Sequence, residues 1–236
     1  NMRGHQLGRI EICPFDYNPV QGVLKVFTEI EFEVLFDQAD LGLTDYIHKK
    51  NYSKDFNVHF DKLINHQTSQ TKDMLTTYPT KMVIVSDPAF QTSLQPFIEW
   101  KTKKGFTVIE AYTNDPAVGT TTTSIKSYLT GLYNAGTSTD PAPSYLLIVG
   151  DIAQVPSFSG TTGSHVSDLY YCEYDGGGDF YPELYYGRFS ATSASHVDIM
   201  VSKTLEYEQY LFPDPSFLGD AVMISGVDAS MAPTYG

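Results

Sequence analysis

The sequence predicts an α/β protein: a mostly parallel sheet flanked by helices, with a β-rich segment ahead of it. Three observations carry this. From Lys81 onward, short apolar runs alternate with longer stretches of helical periodicity, the pattern of repeated strand–helix–strand units. Ahead of that region, Leu24–Phe36 alternates residue by residue, the period of a strand with one covered face. Between the two lies Asp37–Thr80, which is polar and keeps neither period.

Taken in order, Ile10 and Ile12 open a first strand. The run Asp16-Tyr17-Asn18-Pro19-Val20-Gln21-Gly22 supplies turn residues. In the next strand Leu24, Val26, Thr28, Ile30, Phe32, Val34 and Phe36 occupy one face. A hairpin alone is marginal in water, so this one is expected to complete a larger β layer. Within Asp37–Thr80, Phe56–Asn65 has some helical character, and a connection of this length is unusual unless it is a linker or functional. Met82–Val85 is an apolar strand. Gln91–Lys104 places Leu94, Phe97, Ile98 and Lys101 at helical spacing, and Gly105 closes it. Phe106–Ala111 is a strand. Thr120–Asn134 is a helix with Ile125, Leu129 and Leu132 on one face. Tyr145–Val149 is a strand ending at Gly150-Asp151. Ser195–Leu211 is a helix, and Ala221–Ser225 is a strand ending at Gly226-Val227-Asp228. The expected division is therefore 1–43, 44–80 as a junction, and 81–236 as the α/β unit.

Composition narrows the function. The 236 residues carry a formal charge of −13. Phosphate-directed nucleic-acid binding needs clustered Lys and Arg, and the only local cluster is Lys101, Lys103 and Lys104 on one helix face. Two cysteines, Cys13 and Cys172, do not make a disulfide scaffold. No run approaches the ~18 apolar residues of a membrane span, and no secretory leader opens the chain. The chain starts almost directly in a strand pattern and stops just after another, so it is expected to be an internal piece of a longer precursor.

The chemistry concentrates in Tyr170–Ser190, YYCEYDGGGDFYPELYYGRFS. Two tyrosine-rich, strand-like runs flank a loop in which Asp175, Asp179 and Glu183 surround Gly176, Gly177 and Gly178. Carboxylates spaced through a glycine turn suit a hard cation such as calcium, which takes six to eight oxygen ligands in irregular geometry. A solvated acidic loop has the same spacing, and the EF-hand pattern is absent. Asp151 and Asp228 each follow a strand end, where open α/β sheets place their sites. Each fits a turn or cap residue as well as a site carboxylate. Asp151 can join the loop acids if the hairpin folds over that edge, and Asp228 can orient a histidine. Cys172 with His165 is not favoured as a catalytic pair, because Cys172 sits in an apparent strand and His165 in a Gly/Ser/Thr loop. Nucleophile elbow, phosphate loop, zinc spacing and H-E-x-x-H are all missing.

Several segments in series resemble the gingipain-type cysteine peptidases, the lysine-specific branch more than the arginine-specific one. They are Phe97-Ile98-Glu99-Trp100-Lys101-Thr102-Lys103-Lys104-Gly105-Phe106, Val118-Gly119-Thr120-Thr121 with Ser124-Ile125-Lys126, and Val149-Gly150-Asp151. Asp168-Leu169-Tyr170-Tyr171, Tyr181-Pro182-Glu183, Arg188-Phe189-Ser190, Tyr207-Glu208 and Ile224-Ser225-Gly226-Val227-Asp228 follow in order. Asp16–Phe36 is similar to the end of that family's β-sandwich propeptide. The resemblance implies a caspase-like fold for the α/β unit. It also implies a structural Ca2+ held by Asp151, Asp175, Asp179 and Glu183 with the carbonyl of Tyr181, and Asp228 orienting the catalytic histidine. The histidine and the nucleophilic cysteine then lie after Gly236, in the remaining catalytic half. One departure bears on Asp179: the lysine-specific branch has a single residue between the first two loop acids, where this chain has three glycines.

The implied protein is a secreted or cell-surface bacterial cysteine endopeptidase precursor. Its substrates are proteins and peptides, and its own propeptide is an intramolecular inhibitor. Activation cleavage is expected between about Leu63 and Lys81, with Lys62 and Lys72 as nearby basic residues. This fragment alone is expected to be inactive. The competing reading is a non-catalytic calcium-binding surface protein on the same scaffold.

Overall fold

A computed structural model describes residues 1–37, 39–66, 78–161, 165–176 and 178–223. The alternating apolar run Thr80–Ser86 forms β3, with Val83 and Val85 facing one side and Met82 and Ile84 the other. Both sides are covered, so the strand reads as a continuous apolar run, as parallel strands buried on both faces do. Around it, β4 (Phe106–Tyr112), β5 (Tyr145–Val149) and β8 (Tyr185–Phe189) complete a four-stranded sheet in the order β4-β3-β5-β8. Every pairing in it is parallel, so the expected mostly parallel α/β sheet is what forms.

Helices cover both faces. On one face α4 (Thr122–Asn134) buries Ile125, Leu129 and Tyr133 against Val83, Val85, Leu146 and Ile148. A reciprocal capping box between Thr121 and Ser124 starts this helix. On the other face α3 (Gln91–Lys103) and α5 (Ala194–Glu208) bring Leu94, Phe97, Val197 and Val201 onto Met82, Ile84 and Val149. Glu208 ties these two helices together, accepting from Lys101 at 2.6 Å and Trp100 at 2.9 Å. Gly105 ends α3 with φ +92, a left-handed turn that other residues adopt at a cost.

The chain leaves β3 toward β4, then returns across β3 to β5 and onward to β8. The order therefore reverses between β3 and β5, and their carboxyl ends bracket a crevice, the usual position of a site in such sheets. Among the described residues β8 is an edge strand, with Tyr186 and Gly187 exposed.

The N-terminal part differs from expectation in extent. Only Phe15–Asn18 (β1) and Val23–Val26 (β2) pair, antiparallel, and both are fully exposed. Residues 28–36 form no strand, and Ile30, Phe32 and Val34 are exposed rather than half-covered. Their alternation has no second layer to pack against among the described residues. Helix α1 (Leu41–Lys50) follows, and a short helical stretch, Lys54–Phe60, occupies the start of the expected helix 56–65.

Three further expectations change. Tyr170–Cys172 is not strand: Leu169–Tyr171 makes a single 3-10 turn that drops Tyr171 and Cys172 into the core beside α4. Two two-residue strands, β6 (Phe158–Ser159) and β7 (Val166–Ser167), precede it. Ala221–Met223 lies outside any strand, with Val222 and Met223 exposed, and the rest of that predicted strand is outside the described residues.

Candidate functional site

Asp151 and the carboxylates of the acidic loop stand at opposite ends of the sheet. Asp151 follows β5 directly, at the carboxyl-end crevice. Its backbone N–H bonds to Ala191 O at 2.8 Å, and its Oδ1 accepts from Ile152 N at 2.9 Å and Ser190 Oγ at 3.1 Å. Gly150 just before it has φ +134 and is buried; a Cβ there would lie 2.7 Å from Gln154 Cβ. Asp87, at the end of β3, caps the next turn by accepting from Ala89 N and donates its own N–H to Val149 O.

Glu183, in contrast, precedes β8. Its N–H bonds to Cys172 O, and the neighbouring Tyr185 N–H bonds to Ser144 O ahead of β5. Because β5 and β8 are parallel, residues before one and after the other occupy opposite edges. From Glu183 to Ser190, which touches Asp151, the extended chain covers roughly 20 Å at about 3.3 Å per residue. Asp151 and Glu183 therefore do not share an ion, and the expected single ligand set divides.

At the lower edge Glu183 lies beside Asp175, but among the described residues no three Asp, Glu, His or Cys side chains come close enough together to hold a metal ion. Glu183 is 1% exposed. Its Oε2 accepts from Tyr174 N at 3.2 Å, while Oε1 finds no hydrogen-bond partner. Burial and the adjacent Asp175 carboxylate push its pKa up to about 8, with Asp179 adding to the effect. A buried carboxylate facing two other acids with an unsatisfied oxygen is costly unless a proton or a cation joins it. The oxygen donors of Asp175, Asp179 and Glu183 are of the kind a hard cation takes, though as placed the three do not form a ready-made ligand group. Asp179 Oδ1 accepts from Tyr181 N at 3.0 Å. Gly176 and Gly178, at φ +106 and +95, make the wide turn between Asp175 and Asp179, and Tyr181 is exposed at its end. Gly177 and Asp228 lie outside the described residues.

Neither cysteine is placed as a nucleophile. Cys172 is fully buried, and burial raises its thiol pKa well above the ordinary value, the opposite of an activated thiolate. Cys13 is exposed beside the hairpin and donates to Phe15 O. His165 lies between β6 and β7, and Gly160 packs against its ring.

Sequence reasoning missed two arginines. Arg188 on β8 grips Asp168 with Nε and Nη2, both at 2.7 Å, and donates Nη1 to Gly150 O and Val155 O. Burial raises the Asp168 pKa, but the hydrogen bonds from Arg188 and Ser157 outweigh it and hold the carboxyl below its usual range. This fork locks the Gly150–Asp168 loop onto the crevice edge, and the Asp168-Leu169 and Arg188-Phe189 pairs were its only sequence signal. Arg3 is 1% exposed, and the isolated position of one basic residue near the start of the chain gave no signal at all.

The model of peptidase family C25 matches residues 75–234. Lys-gingipain of Porphyromonas gingivalis is 35% identical over 235 residues, all of this chain and 14% of that protein. Gingipain R2 of the same organism is 23% identical over 221 residues, covering 93% of this chain and 29% of that one. A solved structure described as "Structure of Protease" superposes with a TM-score of 0.59 at 37% identity, over 65% of this chain and 34% of the other. The chain thus spans about one seventh of the length of the Lys-gingipain it matches. The α/β unit, from its first strand to beyond α5, lies inside the matched family region, and the chain belongs to peptidase family C25.

Proposed function

We propose that this chain is the end of a propeptide and the first part of the catalytic domain of a secreted or surface-attached bacterial cysteine endopeptidase. The observation that carries it is the family match beginning at residue 75, which leaves the hairpin and α1 outside and takes in the whole sheet. We read the chain as 1–43, a junction at 44–80, and the catalytic part at 81–236. Peptide bonds are the substrate. The N-terminal part is the intramolecular inhibitor, and the rest of the catalytic half supplies the cysteine and histidine, since Cys172 is buried with its thiol pKa raised and Cys13 lies by the exposed hairpin, away from the sheet crevice.

The chemistry is thiolate attack on the scissile carbonyl. The tetrahedral adduct expels the amine, which takes a proton from the imidazolium; water then hydrolyses the acyl-enzyme and the thiolate is regenerated. Asp228 orients the imidazole and stabilises its protonated form. Asp151 borders the crevice at the carboxyl ends of β3 and β5 and shapes it through Ile152 N and Ser190 Oγ. At the other edge Asp175, Asp179 and Glu183, with the Tyr181 carbonyl, hold a structural Ca2+. That ion neutralises the buried Glu183 charge and contributes no step of the reaction.

The test extends the chain through the coding region after Gly236 and measures hydrolysis of lysyl and arginyl peptide substrates. Activity that a thiol alkylator abolishes and Asp228→Ala lowers by about 100-fold or more supports the reading. An extension lacking a histidine and a strand-end cysteine refutes it and favours the non-catalytic calcium-binding alternative.

A further inference from the structure

The first five residues form a tight turn in which Met2 and His5 exchange both backbone hydrogen bonds, at 3.0 and 2.9 Å. The turn holds Arg3 at φ +49 and Gly4 at φ +79. It drives the Arg3 side chain into the lower edge of the sheet, opposite the Asp151 crevice. All five guanidinium N–H groups are used, and every acceptor is a backbone carbonyl. Nε donates to Asn51 O at 2.7 Å, and Nη1 to Pro143 O at 2.8 Å and Glu183 O at 2.6 Å. Nη2 donates to Tyr52 O at 3.4 Å and Ala142 O at 3.3 Å. The rings of Phe56 and Tyr133 lie 5.0 and 5.5 Å from the guanidinium carbon.

These carbonyls come from three places: the segment after α1, the turn before β5, and the acidic loop before β8; Asn51 and Tyr52 lie on Arg3's own side of the connection 67–77, so the three bonds to Ala142, Pro143 and Glu183 are the ones that cross it. An ammonium carries three donors on a point charge and cannot fill a planar five-donor cage. The cage is therefore selective for guanidinium. Burial lowers the Arg3 pKa from its ordinary value, yet an arginine remains charged in proteins, so the negative ends of the carbonyl dipoles must balance it.

We propose that this cage is an arginine receptacle by which the N-terminal segment docks on the α/β unit, and that it retains that segment after the connection 67–77 is cut. The segment brings supporting contacts: Met2, Phe56 and Phe60 pack as one cluster with Tyr185, and Ser144 Oγ donates to Ser53 Oγ at 2.8 Å. Arg3 is the element that joins all three parts. The inference concerns association and does not rest on the peptidase reading.

The experiment places a single site for a sequence-specific protease between His66 and Tyr78 in the full chain, cuts the folded protein, and follows association of the two pieces by size-exclusion chromatography and native mass spectrometry. Cut wild type stays together. Arg3→Ala weakens association by about 100-fold and Arg3→Lys by about tenfold. Gly4→Val leaves the α/β unit untouched but breaks the turn that presents Arg3, since at φ +79 its Cβ would meet Ile47 Cγ2 of α1 at 2.3 Å, and it therefore weakens association as Arg3→Ala does. On the cut wild type, ethylguanidinium promotes separation and ethylammonium at equal concentration does not. The proposal is overturned if Arg3→Ala associates within about threefold of wild type, or if the two cations act alike.

Discussion

Glu183 makes stability depend on pH in a direction opposite to most carboxylates. Its folded pKa is about 8, above the ordinary 4.5, so between those values the folded state binds the proton that the unfolded state has released. Stability from this group is complete below about pH 4.5 and is lost as pH rises through 8. At about 1.4 kcal/mol per pH unit the ceiling is about 5 kcal/mol over the whole interval, and about 2 kcal/mol between pH 6.5 and 8. The neighbouring Asp175 carboxylate adds to the burial that raises Glu183. The perturbation is Glu183→Gln, and the assay is urea denaturation at pH 5, 6.5 and 8.5, each in EDTA and in calcium. In EDTA, wild type loses roughly 2 kcal/mol or more toward pH 8.5, whereas Glu183→Gln stays level over that interval. Calcium restores wild type at pH 8.5 and does little at pH 5, because the ion and the proton compete for the same oxygens. Equal pH slopes for the two proteins in EDTA would refute the buried-acid argument, and equal calcium stabilisation at pH 5 and 8.5 would remove the loop as the ion's site.

Other expectations follow from the same geometry. Asp168→Asn leaves the Arg188 guanidinium half-buried without its carboxylate and costs about 3 kcal/mol in urea denaturation; a loss under about 0.5 kcal/mol would show that the fork is not held as a unit. Gly150→Ala forces a Cβ to within 2.7 Å of Gln154 Cβ at φ +134 and lowers stability by about 1–3 kcal/mol, with Gly187→Ala, whose Cβ meets nothing, as the milder control. The rings of His5 and His48 stack at 3.8 Å, and burial followed by the His48 charge lowers His5 to about 4. Stability from this stack is complete above about pH 6.5 and is lost as pH falls toward 4. Thermal melts of His48→Gln should flatten that acid limb, and an unchanged limb would count against it.

Where the sequence carries a strong period, the fold was legible. Tyr145–Val149 is the strand that its apolar run predicts, and Leu94, Phe97 and Ile98 sit in the core at the predicted helical spacing. Tyr170–Cys172 misled because two large apolar residues and a small one are equally compatible with a strand or a buried turn. Packing against α4 selected the turn. The hairpin misled in extent, since alternation records that a covering layer is needed and not that it is present. Composition drew attention to the loop acids, of which Glu183 proves to be buried beside Asp175, and Asp151 was grouped with them on the premise that the loop folds over the same edge. Strand direction decides otherwise: one residue follows a strand and the other precedes a parallel neighbour. Arg3 was beyond sequence reasoning, because its partners are backbone carbonyls and carbonyls leave no mark on side-chain identity.

The open flank of β8 has a consequence for handling the molecule. An edge strand with exposed Tyr186 and Gly187 offers its main-chain groups to whatever extended peptide arrives first. At high concentration that visitor is another copy of the chain; in a longer polypeptide it is the next stretch to fold. Yield on refolding thus becomes a race between second-order stacking and first-order completion of the sheet, and dilution favours completion.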